Sequence, residues 1–191
     1  MTIFDLLFLF LLLVSVLTLA TAGVQAIRGQ RAAASAILRR FTVCFVLYMA
    51  VVFAVALLKP QRVFAIGEKH CFDDWCVAVT KAQRYGARYD VTLEVFSEAK
   101  RVTQRANGAV VYVIDGQGRR FDPQPDPSAI PLDVMLAPGQ SLETTRTFNL
   151  SAAAHDLGLV VWHGGAYCFP GCFIIGDNAN PLAKRTIVKL P

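Results

Sequence analysis

Two long apolar runs without a charged side chain limit what the N-terminal third of this chain can fold into. They cover residues 6–24 and 41–58. A helix needs about 20 apolar residues to cross the hydrocarbon core of a bilayer, and only a helix satisfies all of its own backbone there. The sequence therefore predicts two transmembrane helices, at about 6–24 and about 41–58, within a membrane anchor formed by residues 1–59.

A cleaved signal peptide is the alternative interpretation of the first run. The triplet "ATA" at residues 20–22 resembles a small-residue cleavage site. A signal peptide, however, has positive charge before a short apolar stretch. Here the start "MTIFD" contains no Lys or Arg, and the apolar stretch is long. These features favour an uncleaved helix.

The segment between the two runs indicates how the chain crosses the membrane. Residues 25–40 contain Arg28, Arg31, Arg39 and Arg40 and no acidic residue. Short loops rich in Lys and Arg stay in the cytoplasm. We therefore expect a cytoplasmic basic loop at 25–40, whose alanines extend both helices as a helical hairpin. The N-terminus and everything after residue 59 are then outside the cytoplasm.

The net charge of +5 is explained by this topology. Residues 1–59 carry five basic residues and one acidic residue, whereas residues 60–191 carry fourteen and thirteen. A basic chain can indicate nucleic-acid binding. Here the basic excess lies beside the apolar runs, and the remainder of the chain shows no basic stripe with interleaved aromatics. The expectation is that nucleic acid is not a partner.

Residues 60–191 show the alternation typical of β-strands. Within residues 89–97, Val91, Leu93 and Val95 alternate with polar side chains, which predicts a half-buried strand. The first strand is expected at 75–85. Further strands are predicted at 109–115, 142–150, 157–163, 172–176 and 185–190. Seven short strands and no convincing helix indicate an all-β sandwich or barrel.

One stretch of this region resembles a known family. "PLDVMLAPGQSLETTRTFNLSAAAHDLGLVVWHGG", with Leu136, Pro138, Gly139 and Phe148, is similar to the second half of bacterial extracellular immunoglobulin-like (telokin-like) domains of unknown function. The earlier "VIDGQGRRFDP" fits the same family. The resemblance covers roughly residues 85–165. It implies an immunoglobulin-like β-sandwich at 60–191 on a two-helix anchor, outside a bacterial inner or plasma membrane, without catalytic residues.

Four cysteines, Cys71, Cys76, Cys168 and Cys172, lie in this outer region. In an oxidising compartment four cysteines indicate a disulfide framework with three possible connectivities. Local pairing, Cys71 with Cys76 and Cys168 with Cys172, is favoured because "PG" at 170–171 can turn the chain between the second pair.

A metal site is a more specific alternative for the same cysteines. His163, Cys168 and Cys172 lie within ten residues, a set that suits a soft ion such as Cu(I), and His70 adjoins Cys71. Structural zinc sites more often show a Cys-x2-Cys spacing, and thiol exchange uses the same spacing at a helix start. Neither pair has it. The expectation is a disulfide staple without metal, with an envelope metal-handling or thiol-redox protein as the alternative.

The remaining residues suggest no catalytic chemistry. No nucleophile elbow, P-loop, dinucleotide fingerprint or zinc-protease motif occurs. Asp122, Asp126 and Asp133, near the proline-rich loop, lack the spacing of a calcium loop and are expected on an ordinary surface. We therefore expect no enzyme activity and no cofactor. The predicted role is binding or scaffolding in the cell envelope, with the lipid bilayer and another envelope protein as partners.

Overall fold

The chain forms two compact units. The computed structural model describes residues 2–162, 169–178 and 180–191. One unit comprises Met1–Pro60 together with Cys168–Lys184, and the other comprises Gln61–Tyr167 together with Arg185–Pro191. A segment near the C-terminus, which the sequence placed with the outer domain, thus packs with the N-terminal helices.

The first unit is built on two long helices. Helix α1 is Ile3–Ile27 and helix α2 is Arg31–Leu58. Thr2 caps α1, because its side chain accepts a hydrogen bond from the backbone N–H of Asp5 while the Asp5 carboxylate accepts from Thr2. Only residues 28–30 separate the helices. Most of the basic segment 25–40 is therefore helical, as its alanines favour.

Both helices are long and apolar enough to cross a membrane. Their side chains are mostly exposed within the structure, since the most apolar window of α1 is 6% buried and that of α2 is 11% buried. The core helix of a soluble protein would be mostly buried. These helices instead present their apolar surface outwards.

The remaining part of the first unit is a short irregular segment. Gly171–Phe173 forms a single 3-10 turn, so the strand predicted at 172–176 is wrong. The backbone N–H groups of Phe173 and Ile174 donate to the carbonyls of Pro170 and Gly171, at 2.9 and 3.1 Å. Backbone donors that are used within a turn are not available to a neighbouring strand.

The second unit is a β-sandwich of nine strands among the residues described. One sheet has the order β1-β9-β8-β5-β6 and the other β2-β3-β4-β7. All neighbours pair antiparallel except β1 and β9, which are parallel. The strands are β1 Val63–Phe64, β2 His70–Phe72, β3 Trp75–Tyr85, β4 Arg88–Ser97, β5 Val110–Ile114, β6 Arg120–Phe121, β7 Ser141–Asn149, β8 Gly158–Trp162 and β9 Ile187–Lys189.

The core lies between the two sheets and follows the alternation in the sequence. Val91, Leu93 and Val95 of β4 are completely buried, as are Phe148 of β7 and Leu159 of β8. These side chains belong to one hydrophobic cluster that draws on both sheets. The predicted two-helix chain with a β-sandwich is therefore confirmed.

The sandwich begins earlier than the sequence suggested. Strand β3, predicted as the first, is preceded by β1 and β2, of two and three residues. Strands this short contain too few residues to show a period of two. At the other end, the Arg185 guanidinium stacks 3.7 Å from the centroid of the Trp162 ring. This contact joins the point where the chain leaves β8 to the point where it returns before β9.

Candidate functional site

The stretch "CFDDWC" forms the hairpin that joins β2 to β3. Cys71 pairs with Cys76 and Phe72 with Trp75 across the two strands. This register leaves Asp73 and Asp74 as a two-residue turn, and Asp73 has a φ of 54°. Asp tolerates the left-handed conformation better than most residues, because its short polar side chain bonds locally.

Cys71 and Cys76 form a disulfide, which confirms the predicted local pair. Their Cα atoms lie 4.0 Å apart, since directly opposed residues in antiparallel strands are close neighbours. Cys76 is completely buried, whereas Cys71 is exposed. The bond therefore fastens the short edge strand β2 to the interior of the sheet.

The carboxylate of Glu98 lies close to these two sulfurs. Among the residues described, Cys71, Cys76 and Glu98 are the one group of at least three potential ligands close enough together to hold a metal ion. A thiolate, not a disulfide, is the form of cysteine that binds metal. Glu98 also has its own partner, since Lys69 Nζ lies 2.9 Å from its carboxylate. With the disulfide formed, this hairpin has a structural cross-link and no thiolate to bind a metal.

The second cysteine cluster is only partly described. His163 and Cys168 lie outside the described residues. Cys172 is disulfide-bonded and mostly buried. A metal at Cys172 would therefore require its reduced form, and the metal alternative for His163, Cys168 and Cys172 stays a prediction.

A different site lies where the two sheet edges meet, around Arg146 of β7. The chain leaves β6, at the edge of one sheet, and crosses to β7, at the edge of the other. On the way, the Gln124 N–H donates to the Thr147 carbonyl at 2.7 Å, and Pro123 forms an isolated bridge with Phe148. The proline-rich loop 122–131 thus covers the free edge of β7.

The Arg146 side chain holds this loop in place. Its Nη2 donates to the Ile130 carbonyl at 2.6 Å, and its Nη1 donates to Thr144 Oγ1 at 2.6 Å and to the Thr145 carbonyl at 3.1 Å. Nε donates to none of the described residues. Partial burial lowers the pKa of Arg146, against the opposing effect of Asp126.

The charge of Arg146 is not matched by a carboxylate within salt-bridge distance in the part of the chain that the structure describes. The nearby acidic residues each have another partner: Asp122 pairs with Arg120, Asp133 pairs with Arg105, and Asp126 accepts from Ser128. These carboxylates are not grouped as calcium ligands would be. Among the residues described, Arg146 is half-buried without a direct salt bridge, and Asp126, which lines a cleft with it, is the carboxylate that acts electrostatically on its positive charge.

Two adjoining clefts open beside this charge. One has a volume of about 320 Å³ and the other about 210 Å³, and Pro123 and Arg146 line both. The larger cleft has apolar walls from β5, including Val111, beside the Arg120–Asp122 pair. Apolar walls with a few directed polar groups are typical of ligand sites. We call this region the Arg146 cleft.

Sequence reasoning missed the Arg146 cleft. Arg146 stands opposite Val91 in the β4–β7 register, at an inward-facing position. The sequence signal was present, because Arg146 shares one face of the predicted strand 142–150 with the apolar residues Leu142 and Phe148. Which residues neutralise or solvate such a charge depends on the loop that packs over it, and that loop is not predictable from local pattern.

No protein-family model matches this chain, and no curated protein matches it. Solved structures show similarity at low sequence identity. The yjhA protein from Bacillus subtilis is 13% identical, with 67% of this chain and 99% of that chain covered and a TM-score of 0.47. An uncharacterized β-sandwich protein from Clostridium difficile is 8% identical, covering 70% and 96%, with a TM-score of 0.44. The secreted protein MPT63 from Mycobacterium tuberculosis is 10% identical, covering 55% and 98%, with a TM-score of 0.41.

Proposed function

We propose that this chain is an integral membrane protein of the bacterial cell envelope that displays a binding domain. In this proposal α1 and α2 span the inner or plasma membrane, with the arginines of residues 25–40 in the cytoplasm. The β-sandwich, which we propose to be immunoglobulin-like, lies outside the cytoplasm. It acts by binding another envelope component, and we assign it no catalytic role.

The exposed apolar surface of the two helices supports the membrane anchor. Leu6, Phe10 and Leu13 of α1 are 57%, 62% and 58% exposed, and Leu47 of α2 is 62% exposed. Soluble proteins rarely leave apolar patches of this extent in water. Hydrocarbon chains around the helices would remove this cost.

The half-buried charge of Arg146 is the observation that carries the binding role. Taking a cation out of water costs free energy that a nearby anion usually offsets. Arg146 has carbonyl and hydroxyl partners but, among the residues described, no ion pair. An incoming anionic group would supply the direct ion pair that Asp126 does not form.

The chemistry of arginine indicates what kind of anion fits. The planar guanidinium matches a carboxylate through two parallel N–H donors. The Nε donor of Arg146 is not used by the described residues, and the apolar wall at Val111 gives room for a side chain beside the carboxylate. We therefore assign the Arg146 cleft to a carboxylate of a peptide or protein partner.

Short peptides with a free C-terminal carboxylate, each compared with its amidated form, test this assignment. With the full chain in lipid nanodiscs, we expect a carboxylate peptide to raise the melting temperature of the sandwich, since a ligand that binds only the folded state stabilises it. The amidated form should have little effect. Arg146→Gln should abolish the shift, and Arg146→Lys should keep part of it.

Arg88→Gln is the matched control. Arg88 is an exposed arginine on β4 that already pairs with Asp90 at 2.9 Å. Its loss should leave the peptide-induced shift unchanged. Equal stabilisation of wild type and of a folded Arg146→Gln protein would show that the cleft is not a carboxylate site.

A further inference from the structure

Residues 169–175, where the described chain resumes, read "FPGCFII" and carry no charge. It lies far along the chain from the helices, yet it packs on both of them. The Phe169 ring meets the Phe8 ring of α1 edge to face, with centroids 6.4 Å apart. The Tyr48 hydroxyl of α2 donates to the Phe173 carbonyl at 2.5 Å.

These contacts lie well inside the apolar parts of the helices. Tyr48 precedes Lys59, the C-cap of α2, by eleven residues, or about 16 Å of helix at 1.5 Å per residue. Phe8 lies six residues after Thr2, or about 9 Å from the start of α1. The hydrocarbon core is about 30 Å thick. In the proposed topology these helix ends face outwards, so the Phe8 contact falls in the outer half of the hydrocarbon core and the Tyr48 contact lies near its midplane.

Most backbone carbonyls of the segment meet the condition for non-helical chain at that depth. Five consecutive carbonyls, from Pro170 to Ile174, each accept a hydrogen bond from within the unit. The donors are the N–H groups of Phe173, Ile174 and Asp177, the Asn180 side-chain amide and the Tyr48 hydroxyl. Proline contributes no N–H that needs a partner. Irregular backbone is tolerated in a membrane only where protein groups satisfy it in this way.

The boundary between apolar and polar residues coincides with Lys59. Lys59 Nζ donates to the Gly176 carbonyl at 2.5 Å and to Asn178 Oδ1 at 2.9 Å. Asp177 is the first charged residue after Phe169. A lysine at a helix end places its charge at the headgroup region. The apolar part, Phe169 to Ile175, then lies on the hydrocarbon side of that level.

A groove beside the turn also suits hydrocarbon. Its volume is about 360 Å³, and aromatic and aliphatic side chains of α1, α2, Phe169 and Phe173 form most of its lining. The hydroxyls of Ser15 and Tyr48, which also line it, already donate to the carbonyls of Leu11 and Phe173. A polar ligand would find these donors already used, whereas an apolar chain needs none.

We propose that Phe169–Ile175 is a membrane-embedded turn, which enters the outer leaflet beside α1 and α2 and presents the Phe169 ring to lipid acyl chains. The proposal rests on the membrane anchor proposed above. It explains why Phe169 is 65% exposed although five of the seven carbonyls of the segment accept hydrogen bonds from the protein. It also gives the outer domain a third attachment to the bilayer, in addition to the two helices.

Fluorescence quenching by brominated lipids tests the depth of the turn. The full chain would be reconstituted into phosphatidylcholine vesicles whose acyl chains carry bromine midway along their length. The wild-type chain has two tryptophans, and three single variants each add a third. These are Phe169→Trp in the turn, Leu47→Trp on α2 and Tyr85→Trp at the end of β3. Leu47 and Tyr85 are 62% and 58% exposed, comparable with Phe169. The wild-type signal is subtracted from each.

We expect the added emission of Phe169→Trp to be quenched by brominated lipid about as strongly as that of Leu47→Trp. Tyr85→Trp should not be quenched by the lipid and should instead respond to iodide in the buffer. If Leu47→Trp is quenched but Phe169→Trp behaves like Tyr85→Trp towards both quenchers, the embedded turn is wrong and the anchor stands. If Leu47→Trp also escapes the lipid quencher, the anchor itself is wrong and the turn proposal falls with it.

Discussion

The disulfide of the β2–β3 hairpin joins an exposed residue, Cys71, to a completely buried one, Cys76. Among the residues that the structure describes, strand β2 pairs only with β3, so it is the edge of its sheet. A three-residue edge strand has few hydrogen bonds of its own to hold it. The covalent link therefore makes the position of β2 depend on the rigid core strand β3.

Removing this link should destabilise the sandwich by about 2 kcal/mol, the chain-entropy value for a six-residue loop. The change is Cys71→Ala with Cys76→Ala, because alanine avoids placing a hydroxyl in the buried site of Cys76. Thermal unfolding followed by circular dichroism measures the shift. Cys44→Ala, which removes the free cysteine among the residues described, is the control and should leave the sandwich unchanged.

A reductant distinguishes the staple from a metal site at the same hairpin. Reduction should lower the melting temperature more in wild type than in the double variant, which has already lost this bond. A metal site would respond to a chelator and not to mild reductant. A double variant that unfolds at the wild-type temperature would contradict the structural role of the bond.

A separate prediction concerns pH and His70. Its ring stacks on Phe64, with centroids 5.2 Å apart, and lies 4.4 Å from the Phe72 ring. Burial, and then the positive charge of Arg62, lower the pKa of His70 from its ordinary 6.5. The folded state thus favours the neutral ring, while the unfolded chain takes up the proton at higher pH.

Stability from neutral His70 should be complete above about pH 6.5 and should decline as the pH falls through the lowered folded pKa. His70→Phe keeps an aromatic ring and should flatten this decline in a denaturant titration. His155→Asn, at an exposed histidine beside Asp156, is the comparison variant for a histidine outside the Phe64–Phe72 stack. A loss of stability below about pH 4 has a different cause. There, carboxylates such as Asp90, whose pKa is lowered by its hydrogen bond from Arg88, become protonated. If the pH profile of stability is unchanged in His70→Phe, His70 does not contribute to the pH dependence.

Cysteine labelling tests the direction in which the chain crosses the membrane. In a Cys44→Ala background, Ala33→Cys lies at an exposed position near the start of α2, and Gln124→Cys lies on the exposed loop of the sandwich. An impermeant maleimide should label position 124 in intact spheroplasts and position 33 only after permeabilisation, because the arginine-rich segment stays inside. Labelling of position 33 from outside would reverse the proposed topology.

The sequence by itself determined the two helices and most of the strands. An uninterrupted apolar run such as residues 41–58 is a local property, and its length alone predicts a helix that can cross a membrane. The alternation through Val91, Leu93 and Val95 likewise follows from the two faces of a strand. The Cys71–Cys76 pair was predictable as well, because its partners lie five positions apart.

Only the tertiary structure decided where the isolated polar groups and the irregular segments belong. Tyr48 and Phe173 are 125 positions apart, and nothing near either residue in the sequence identifies the other as its partner. "CFIIG" is apolar and β-branched enough to predict a strand, but its backbone groups bond within a turn and to α2. Arg146 occupies an inward strand position, and its surroundings are set by a loop that local pattern does not place. Contacts between distant segments depend on which surfaces the whole chain brings together, so periodicity cannot supply them.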